Sequence, residues 1–508
     1  MDGVILTFLI IKWFNPIFAF KIFEEAGYKW WYSFIPIYNY YIWMKITKRP
    51  LWWFAILVIP FIGYFMMFLL QVATSKSYGK SKLWQEALAV FFPFAYLPYL
   101  GFSKNEKYYA ERPEYKKGAI RGWVDAIIFA VVAVSILRMF MFEAYTIPTS
   151  SMEKSLLVGD YLFVDKMKYG ARAPMTPLSF PFAHHTMPLT KDTKSYSELI
   201  KLKYYRYPAL KEIKNYTPIV FNYPEGDTLS TVYQSNASYY SLVRQHGYTR
   251  VNTDKRNFGD IITRPVDKRE TYIKRCIGIP GDTLQVIDGH AYINGVKEEH
   301  KGNLQFTYLV QTNGSQFRPN IFSELDIIER PVYNPNTSEY RLTLTNETSE
   351  KIKTNPIVTS IKPELQLKDD YYKDNCIMYL FPYNTNYEWT IDEYGPIYIP
   401  KKGDVLQLDS KNICLYSRLI EIYEGNKLLV KGDDIYINGE KTDNYLVKMD
   451  YYWMMGDNRH NSADSRFWGF VPEDHIVGTP MIVWLSLDKN KSLFQGKVRW
   501  KKTLRVPR

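Results

Sequence analysis

An apolar stretch from Gly122 to Phe142 limits what this chain can fold into more than any other feature of the sequence. A helix needs about 20 apolar residues to cross the hydrocarbon core of a bilayer. The stretch has that length, with charges only at Asp125 near one end and Arg138 near the other. It predicts a transmembrane helix over 119–143, in which Arg138 is close enough to the interface for its guanidinium to reach water.

The residues before this helix predict an α-helical membrane region over 1–118 with about three hydrophobic segments. Val4–Phe20 predicts a retained anchor, because it lacks the basic start and small-residue exit of a cleavable signal peptide. Leu51–Ala73 is long enough to span a bilayer. Ala87–Phe102 is shorter and contains Pro93, so it predicts a less regular span.

The residues after the helix predict a mainly-β domain, since Tyr, Val, Ile and Thr alternate there with Gly, Asn, Asp and Pro turns. Asp288–Gly295 and Asp433–Gly439 each predict a strand ending in an Asn-Gly hairpin turn. The polar residues between these two segments predict a β-rich insertion, with either a structural or a partner-binding role. The expected boundaries are 144–295 and 433–490 for the two parts of the domain, 296–432 for the inserted subdomain and 491–508 for a basic tail.

The net charge of +12 points to lipid contact and membrane orientation rather than to nucleic acid. No basic recognition helix, zinc finger or RNA-binding aromatic motif accompanies it. Lys and Arg are frequent between 104 and 121, which predicts that this flank of the last helix is cytoplasmic and that the chain after Glu143 lies outside. The segment 76–82 is also basic, so the order of the earlier crossings stays open.

The cysteines and histidines predict no metal site. Cys276, Cys376 and Cys414 form no CxxC pair, and the seven histidines show no metal-ligand spacing. A disulfide between Cys376 and Cys414 remains open for an oxidising compartment.

A turn of small residues, Pro148 to Met152, follows the helix and carries a possible nucleophile, Ser151. Serine hydrolysis requires a base for the hydroxyl proton and donors for the oxyanion. The turn has no G-x-S-x-G pattern, and no histidine stands in a triad motif. A lysine whose pKa is lowered by burial is another base, and Lys274 lies in a strand-like segment, although most lysines in such segments are surface residues.

Three stretches together resemble the type I signal peptidase family, the membrane-bound bacterial Ser/Lys proteases. They are Ile147–Lys166, Tyr272–Asp282 and Met455–Pro472. A fourth, Pro218–Pro224, resembles the strand that the family places between its serine and lysine boxes. Their order, and their position after a membrane helix, also fit this family.

The resemblance implies roles for particular residues. Ser151 corresponds to the nucleophile and Lys274 to the general base. Thr149 corresponds to the residue whose hydroxyl supplements the Ser151 backbone N–H in the oxyanion hole, although the family often has Ser there and Gly at the position of Ser150. Ser462 corresponds to the serine that orients the base.

The family also implies supporting residues. Four charged residues would brace the site, a role that is as readily structural: Arg275, Asp457, Asp464 and Arg466. Ile147 and Ile273 would form the apolar wall of the substrate pocket, unless they are ordinary strand core. His460 stands where many members carry Asp.

The implied protein is a signal peptidase I without cofactors, which removes N-terminal signal peptides after Ala-x-Ala sequences. Its partners would be signal peptides, the lipid bilayer and the secretion translocon, with no nucleic acid. It would be a multi-pass protein of the bacterial cytoplasmic membrane with its catalytic domain on the periplasmic face. Self-cleaving repressors use a similar dyad but are soluble and bind DNA, and a non-catalytic envelope scaffold is the other alternative.

Overall fold

The computed structural model describes residues 12–59, 62–113, 118–190, 193–299, 303–318, 320–489, 491–492 and 495–507. Two compact units make up the chain. The first comprises 1–136 and 201–203, and the second comprises 137–200 and 204–508. The first part of the expected anchor, 4–11, lies outside the described residues.

The first unit is helical around a core of aromatic and aliphatic side chains, in which Trp43 is fully buried and donates to Thr74 Oγ1 at 2.8 Å. Short 3-10 turns occupy Asn15–Ala19 and Trp30–Phe34. The α-helices are α1 Phe20–Glu25, α2 Tyr38–Ile46, α3 Trp53–Val58, α4 Ile62–Ser77, α5 Leu83–Phe91, α6 Pro93–Phe102 and α7 Ala119–Phe140, whose last turn belongs to the second unit.

Prolines interrupt two of the segments that the sequence predicted to span. Leu51–Ala73 contains parts of two helices, α3 and α4, and Ile59 after α3 is extended with φ −64° and ψ 124°. Pro60 follows in the sequence, and a proline disfavours helical geometry in the residue before it. Ala87–Phe102 is likewise divided between α5 and α6, with Pro93 at the first position of α6.

Within the described part of the chain, α7 is the one helix both long and apolar enough to cross a membrane. It covers most of the stretch predicted over 119–143, whose last residues instead begin a strand. The number of earlier crossings remains a prediction.

The second unit is mainly β, as the sequence predicted. Its strands are β1 Phe142–Thr146, β2 Asp160–Asp165, β3 Thr217–Asn222, β4 Thr228–Ser230, β5 Ile261–Thr263, β6 Thr271–Gly278, β7 Thr283–Ile287, β8 His290–Ile293, β9 Val296–Lys297, β10 Gln305–Thr312, β11 Val332–Asn334, β12 Glu339–Thr345, β13 Val358–Pro363, β14 Tyr394–Tyr398, β15 Val405–Gln407, β16 Leu428–Lys431, β17 Asp434–Ile437, β18 Glu440–Lys441, β19 Asn444–Leu446, β20 Tyr451–Met455, β21 Val471–Pro472 and β22 Ile476–Ser486.

Short helices connect these strands. The α-helices are α8 Tyr239–His246, α9 Tyr248–Thr253, α10 Lys255–Phe258, α11 Asn320–Glu324, α12 Asn346–Lys353, α13 Asp370–Lys373, α14 Ile413–Arg418 and α15 Ser465–Trp468. A π-helix occupies Leu419–Tyr423, and 3-10 turns occupy Pro224–Asp227, Val266–Lys268, Cys376–Met378, Glu473–His475 and Trp500–Lys502.

The largest sheet has seven antiparallel strands in the order β1-β2-β22-β3-β6-β20-β21. Successive side chains of a strand point to opposite faces, so this sheet has a core on each face. On β3, Ile219 and Phe221 pack into one cluster, and Val220 packs into the other. β6 lies inside the sheet between β3 and β20, and its Lys274 pairs with Ile219 in register.

Part of the expected insertion forms a separate antiparallel sheet, β11-β12-β10-β13, with its own apolar core. Another part does not stand apart, because β14 pairs with β7. Both predicted Asn-Gly hairpins are present: Asn294-Gly295 connects β8 to β9, and Asn438-Gly439 connects β17 to β18. All four of these turn residues have positive φ, as this turn requires. The boundaries 296–432 and 433–490 remain predictions.

All three cysteines are free thiols. Cys276 and Cys376 are buried, and Cys414 is half-buried. The disulfide that the sequence left open between Cys376 and Cys414 is not formed.

Candidate active site

Ser151 lies in the turn that follows β1. The chain is fixed at the start of this turn, because Ile147 N donates to Asp160 O at 2.9 Å and Ile147 O accepts from Gly159 N at 2.9 Å. The loop after β20 closes against the turn, and Asn458 N donates to Ser151 O at 3.2 Å. A Cβ on Gly456 would lie 2.6 Å from Ser151 O and 2.2 Å from Ser462 Oγ, so a side chain there would force the loop away.

Lys274 approaches Ser151 from β6. Its Nζ donates to Ser151 Oγ at 2.6 Å, and both side chains are buried, with exposed fractions of 5% and 7%. Burial lowers the pKa of Lys274 to about 8, although the nearby carboxylates of Asp464 and Asp457 favour the charged form. A lysine with this pKa is partly neutral near pH 7, so its amine can accept a proton from the serine hydroxyl.

A cleft of about 450 Å³ opens beside this pair. Ile147 and Ile273 both line it, and both pack on the apolar cluster beneath, so the structure brings together the two isoleucines named from the sequence. Thr149 is exposed at the cleft, with its Oγ1 3.5 Å from Ser151 Oγ. The hydroxyls of Thr149 and Ser151 are therefore neighbours in the cleft.

Two of the predicted charged residues, Arg275 and Asp457, pair with each other. Arg275 Nε donates to Asp457 Oδ1 at 2.7 Å, and its Nη2 donates to Asp457 Oδ2 at 2.6 Å. Ser155, four residues after Ser151, also donates to Asp457. This bidentate pair and the Ser155 bond therefore connect β6 and the loop after β20 to the segment that carries Ser151.

The other two, Asp464 and Arg466, form a second buried pair. Arg466 Nε donates to Asp464 Oδ1 at 2.9 Å, and Arg466 Nη2 donates to Asp464 Oδ2 at 2.8 Å. Both side chains are fully buried. Burial raises the pKa of Asp464, but Arg466 and the Gly456 N–H hold it below its usual value. Asp464 also caps α15, where it accepts from Arg466 N.

Ser462 is buried near the nucleophile turn but does not bond to Lys274 in this structure. Its Oγ has no hydrogen-bond partner among the described residues, and Lys274 donates to Ser151 instead. The role of Ser462 in orienting the lysine remains a prediction.

Sequence reasoning missed a third buried ion pair in the same loop. Arg459 Nη1 and Nη2 donate to the two carboxylate oxygens of Glu298 at 2.7 and 2.6 Å, and both side chains are fully buried. His460 Nδ1 accepts from Thr307 N at 3.1 Å, so its Nε2–H donates to Asp392 Oδ1 at 2.9 Å. Glu298, Thr307 and Asp392 all fall within the region expected to be an insertion, and no motif in the sequence singles them out.

No group of three or more His, Cys, Asp or Glu side chains is arranged to hold a metal ion in the described ranges. The three buried arginine–carboxylate pairs in this region each neutralise their own charges.

Comparison with known proteins gives two family matches. The family described as "Signal peptidase, peptidase S26" matches residues 120–353 and 436–485, which is more than half of the chain. A family of unknown function, DUF5684, matches residues 31–111 in the helical unit.

Individual relatives support the first match. Signal peptidase I of Buchnera aphidicola from Acyrthosiphon pisum is 26% identical over 373 residues, which cover 72% of this chain and 76% of the relative. Signal peptidase I of Helicobacter pylori (strain 26695) is 22% identical, covering 73% of this chain and 83% of the relative. Signal peptidase I of Haemophilus influenzae is 53% identical over a segment of 51 residues, which covers 10% of this chain and 15% of the relative.

Proposed function

The chain belongs to the signal peptidase family, peptidase S26, and on that premise we propose that Ser151 and Lys274 are the catalytic dyad with which it removes signal peptides from preproteins. Members of this family are serine endopeptidases, and the use of a Ser/Lys dyad is general to them. The observation that carries the assignment is the contact of 2.6 Å between Lys274 Nζ and Ser151 Oγ, in a site where burial lowers the lysine pKa to about 8.

The reaction begins with the signal peptide extended in the cleft and its last residue beside Ile147 and Ile273. Neutral Lys274 accepts the proton of the Ser151 hydroxyl, and Oγ attacks the carbonyl carbon of the cleaved bond. The Ser151 backbone N–H and the Thr149 hydroxyl hold the resulting oxyanion. The alanine-like side chains before the cleaved bond contact these two isoleucines.

The tetrahedral intermediate collapses when the protonated Lys274 gives its proton to the leaving amine, and the mature protein departs. The signal peptide is then an ester on Ser151. Lys274, neutral again, removes a proton from a water molecule that attacks the ester. The protonated Lys274 then gives this proton to the departing Ser151 Oγ, which releases the signal peptide and restores both the serine hydroxyl and the neutral lysine.

Helix α7 is proposed to anchor the enzyme in a bacterial cytoplasmic membrane, with the second unit on the outer face. The cleaved bond of a signal peptide emerges next to its membrane-embedded apolar core. Ser151 follows α7 by eleven residues, after strand β1, and a nucleophile soon after the anchor suits a bond in that position. The lipid bilayer and the secretion translocon are the proposed partners besides the preprotein.

The test is cleavage of a preprotein whose signal peptide ends in Ala-x-Ala by the full-length protein in detergent. We expect the wild-type protein to release the mature product and Ser151→Ala or Lys274→Ala to reduce the rate by at least about 1,000-fold, because the nucleophile and its base act as one unit. Lys297→Ala, an exposed lysine on β9, is the control and should cleave normally.

Membrane fractionation accompanies the assay and should give the same result for all four proteins. Full activity in either dyad variant would refute the assignment. A wild-type protein that leaves every such preprotein intact would favour the non-catalytic envelope scaffold.

A further inference from the structure

The sheet formed by β10–β13 contacts the loop after β20, which carries the charged residues of the candidate site. At its edge Gln305 forms a parallel bridge with Asn458, in which Gln305 N donates to Asp457 O at 2.9 Å and Arg459 N donates to Gln305 O at 2.9 Å. The inserted sheet therefore continues into the loop that bears the charged residues of the site. This contact makes it part of the catalytic framework.

A second contact comes from the loop between α11 and β11, which carries Glu329. The Oε1 of Glu329 accepts from Asn458 Nδ2 at 3.0 Å and from Asn461 Nδ2 at 2.5 Å. Its Oε2 accepts from Thr343 Oγ1 on β12 at 2.6 Å. The carboxylate of Glu329 thus links the inserted sheet to two asparagine amides of the loop after β20.

Both amides continue to the nucleophile turn. Asn461 Nδ2 also donates to Ser150 Oγ at 3.2 Å, and Asn458 Nδ2 donates to Ser150 O at 3.4 Å. Each amide nitrogen has two N–H groups, so each spans from Glu329 to Ser150. Ser150 lies between Thr149 and Ser151, the residues proposed to hold the oxyanion.

We infer that Glu329 is a positioning residue for the oxyanion hole, acting on Ser150 through Asn458 and Asn461. One oxygen of Glu329, Oε1, accepts from both amides, so Glu329 fixes them in the orientation that holds the turn. The inference rests on the proposed function, because it assumes that Thr149 and Ser151 hold the oxyanion. It gives the inserted sheet a structural role in catalysis.

The test compares three substitutions at one position, measured with full-length protein and a preprotein substrate. Glu329→Ala removes the acceptor and should lower kcat by about 10- to 100-fold with little change in KM, because the oxyanion forms only in the transition state. Glu329→Asp keeps the charge but shortens the side chain, and should also lower kcat. Glu329→Gln keeps an acceptor oxygen for both amides and should retain most of the activity.

Two further variants separate positioning from a general loss of structure. Glu350→Ala removes an exposed glutamate from α12, the helix that follows β12 of this sheet, and should leave kcat unchanged. In a double-mutant cycle, the variant with both Glu329→Ala and Asn461→Ala should have a fold-reduction in kcat far smaller than the product of the two single-variant fold-reductions. The reason is that both residues act on Ser150 through the same hydrogen bonds.

The possible results are distinguishable. If wild-type protein cleaves and Ser151→Ala does not, the proposed function stands independently of Glu329. Unchanged kcat in both Glu329→Ala and Glu329→Asp, or losses that multiply independently in the cycle, would then overturn the inference. If Glu329→Ala does not fold, the comparison of Glu329→Asp with Glu329→Gln decides the question, and equal activity of these two variants rejects the role.

Discussion

At the scale of single residues, the proposed role of Lys274 as the base makes activity depend on the charge of its amine. Its amine is removed from water, which lowers the pKa to about 8, while Asp464 and Asp457 limit how far the pKa falls. Since the proposed base is the neutral amine, we expect activity to require a pH near or above this value.

We therefore expect kcat/KM to rise with pH through a midpoint of about 8 and to level off above it. The carboxyl of Glu153 is the other nearby group that titrates in this range, because burial and then the Glu329 and Asp326 carboxylates raise its pKa to about 7 against the opposing charge of Lys154. Glu153→Gln removes that titration, and the rise of kcat/KM near pH 8 should remain in this variant. If the rise of kcat/KM disappears in this variant, the rise belongs to Glu153 instead of Lys274.

Thr149 gives a second prediction at this scale. Thr149→Val keeps the shape of the side chain but removes the hydroxyl, and we expect kcat to fall by about 100-fold with KM nearly unchanged. Thr149→Ser keeps the hydroxyl and should be nearly as active as the wild type. Steady-state cleavage kinetics test the pair, and equal activity of the Val and Ser variants would exclude Thr149 from the oxyanion hole.

The sequence predicted the residues that lie within short motifs and missed those whose partners are distant. Ser151, Lys274 and four charged residues could be named because they lie in segments that resemble those of a known family: Arg275, Asp457, Asp464 and Arg466. Glu298 and Glu329 lie in polar sequence, and Glu298 is separated from Arg459 by 161 positions. Only the folded backbone brings such groups together, so no local pattern could identify them.

At the scale of secondary-structure elements, the loop after β20 is held by buried ion pairs. Arg459 crosses from this loop to Glu298, which follows β9, and both side chains are fully buried. A buried charge that loses its partner is left unpaired in a medium of low dielectric constant, which costs more than the pair itself contributes.

Glu298→Ala should therefore lower the free energy of unfolding by about 3 to 5 kcal/mol, because it leaves the Arg459 guanidinium buried without its carboxylate. The double variant Glu298→Leu with Arg459→Met removes both charges and should be more stable than the single variant. Glu347→Ala, which breaks an exposed pair with Lys351 on α12, should change the free energy of unfolding far less, because water screens exposed ion pairs. Denaturant unfolding in detergent measures all three, and similar losses for the buried and exposed variants would contradict this account.

The elements themselves were predictable where turn chemistry is strict, and less so where a proline divides an apolar run. The two Asn-Gly hairpins followed from residues that tolerate positive φ. Leu51–Ala73 has the hydropathy of a spanning helix, and the signal that the chain becomes extended at Ile59 is Pro60, which hydropathy does not weigh. Predicting the pairing of β14 with β7 requires tertiary contacts that hydrophobic periodicity does not contain.

At the scale of the whole molecule, α7 connects the helical unit to the mainly-β unit and is the described helix best suited to cross a bilayer. The basic residues Lys104, Lys107, Arg112 and Arg121 precede the apolar part of this helix. Basic flanks favour the cytoplasmic side, so the catalytic unit should lie on the opposite side of the membrane from Lys107.

Single-cysteine labelling tests this orientation. In a Cys414→Ser background, which leaves only the two buried thiols, an impermeant thiol reagent added to intact spheroplasts should label Lys431→Cys in the catalytic unit and should not label Lys107→Cys. Permeabilising the membrane should then expose position 107, because only the bilayer protects it. The background variant alone should remain unlabelled under both conditions. Labelling of both positions in intact spheroplasts would mean that α7 does not separate them, and labelling of position 107 alone would reverse the proposed orientation.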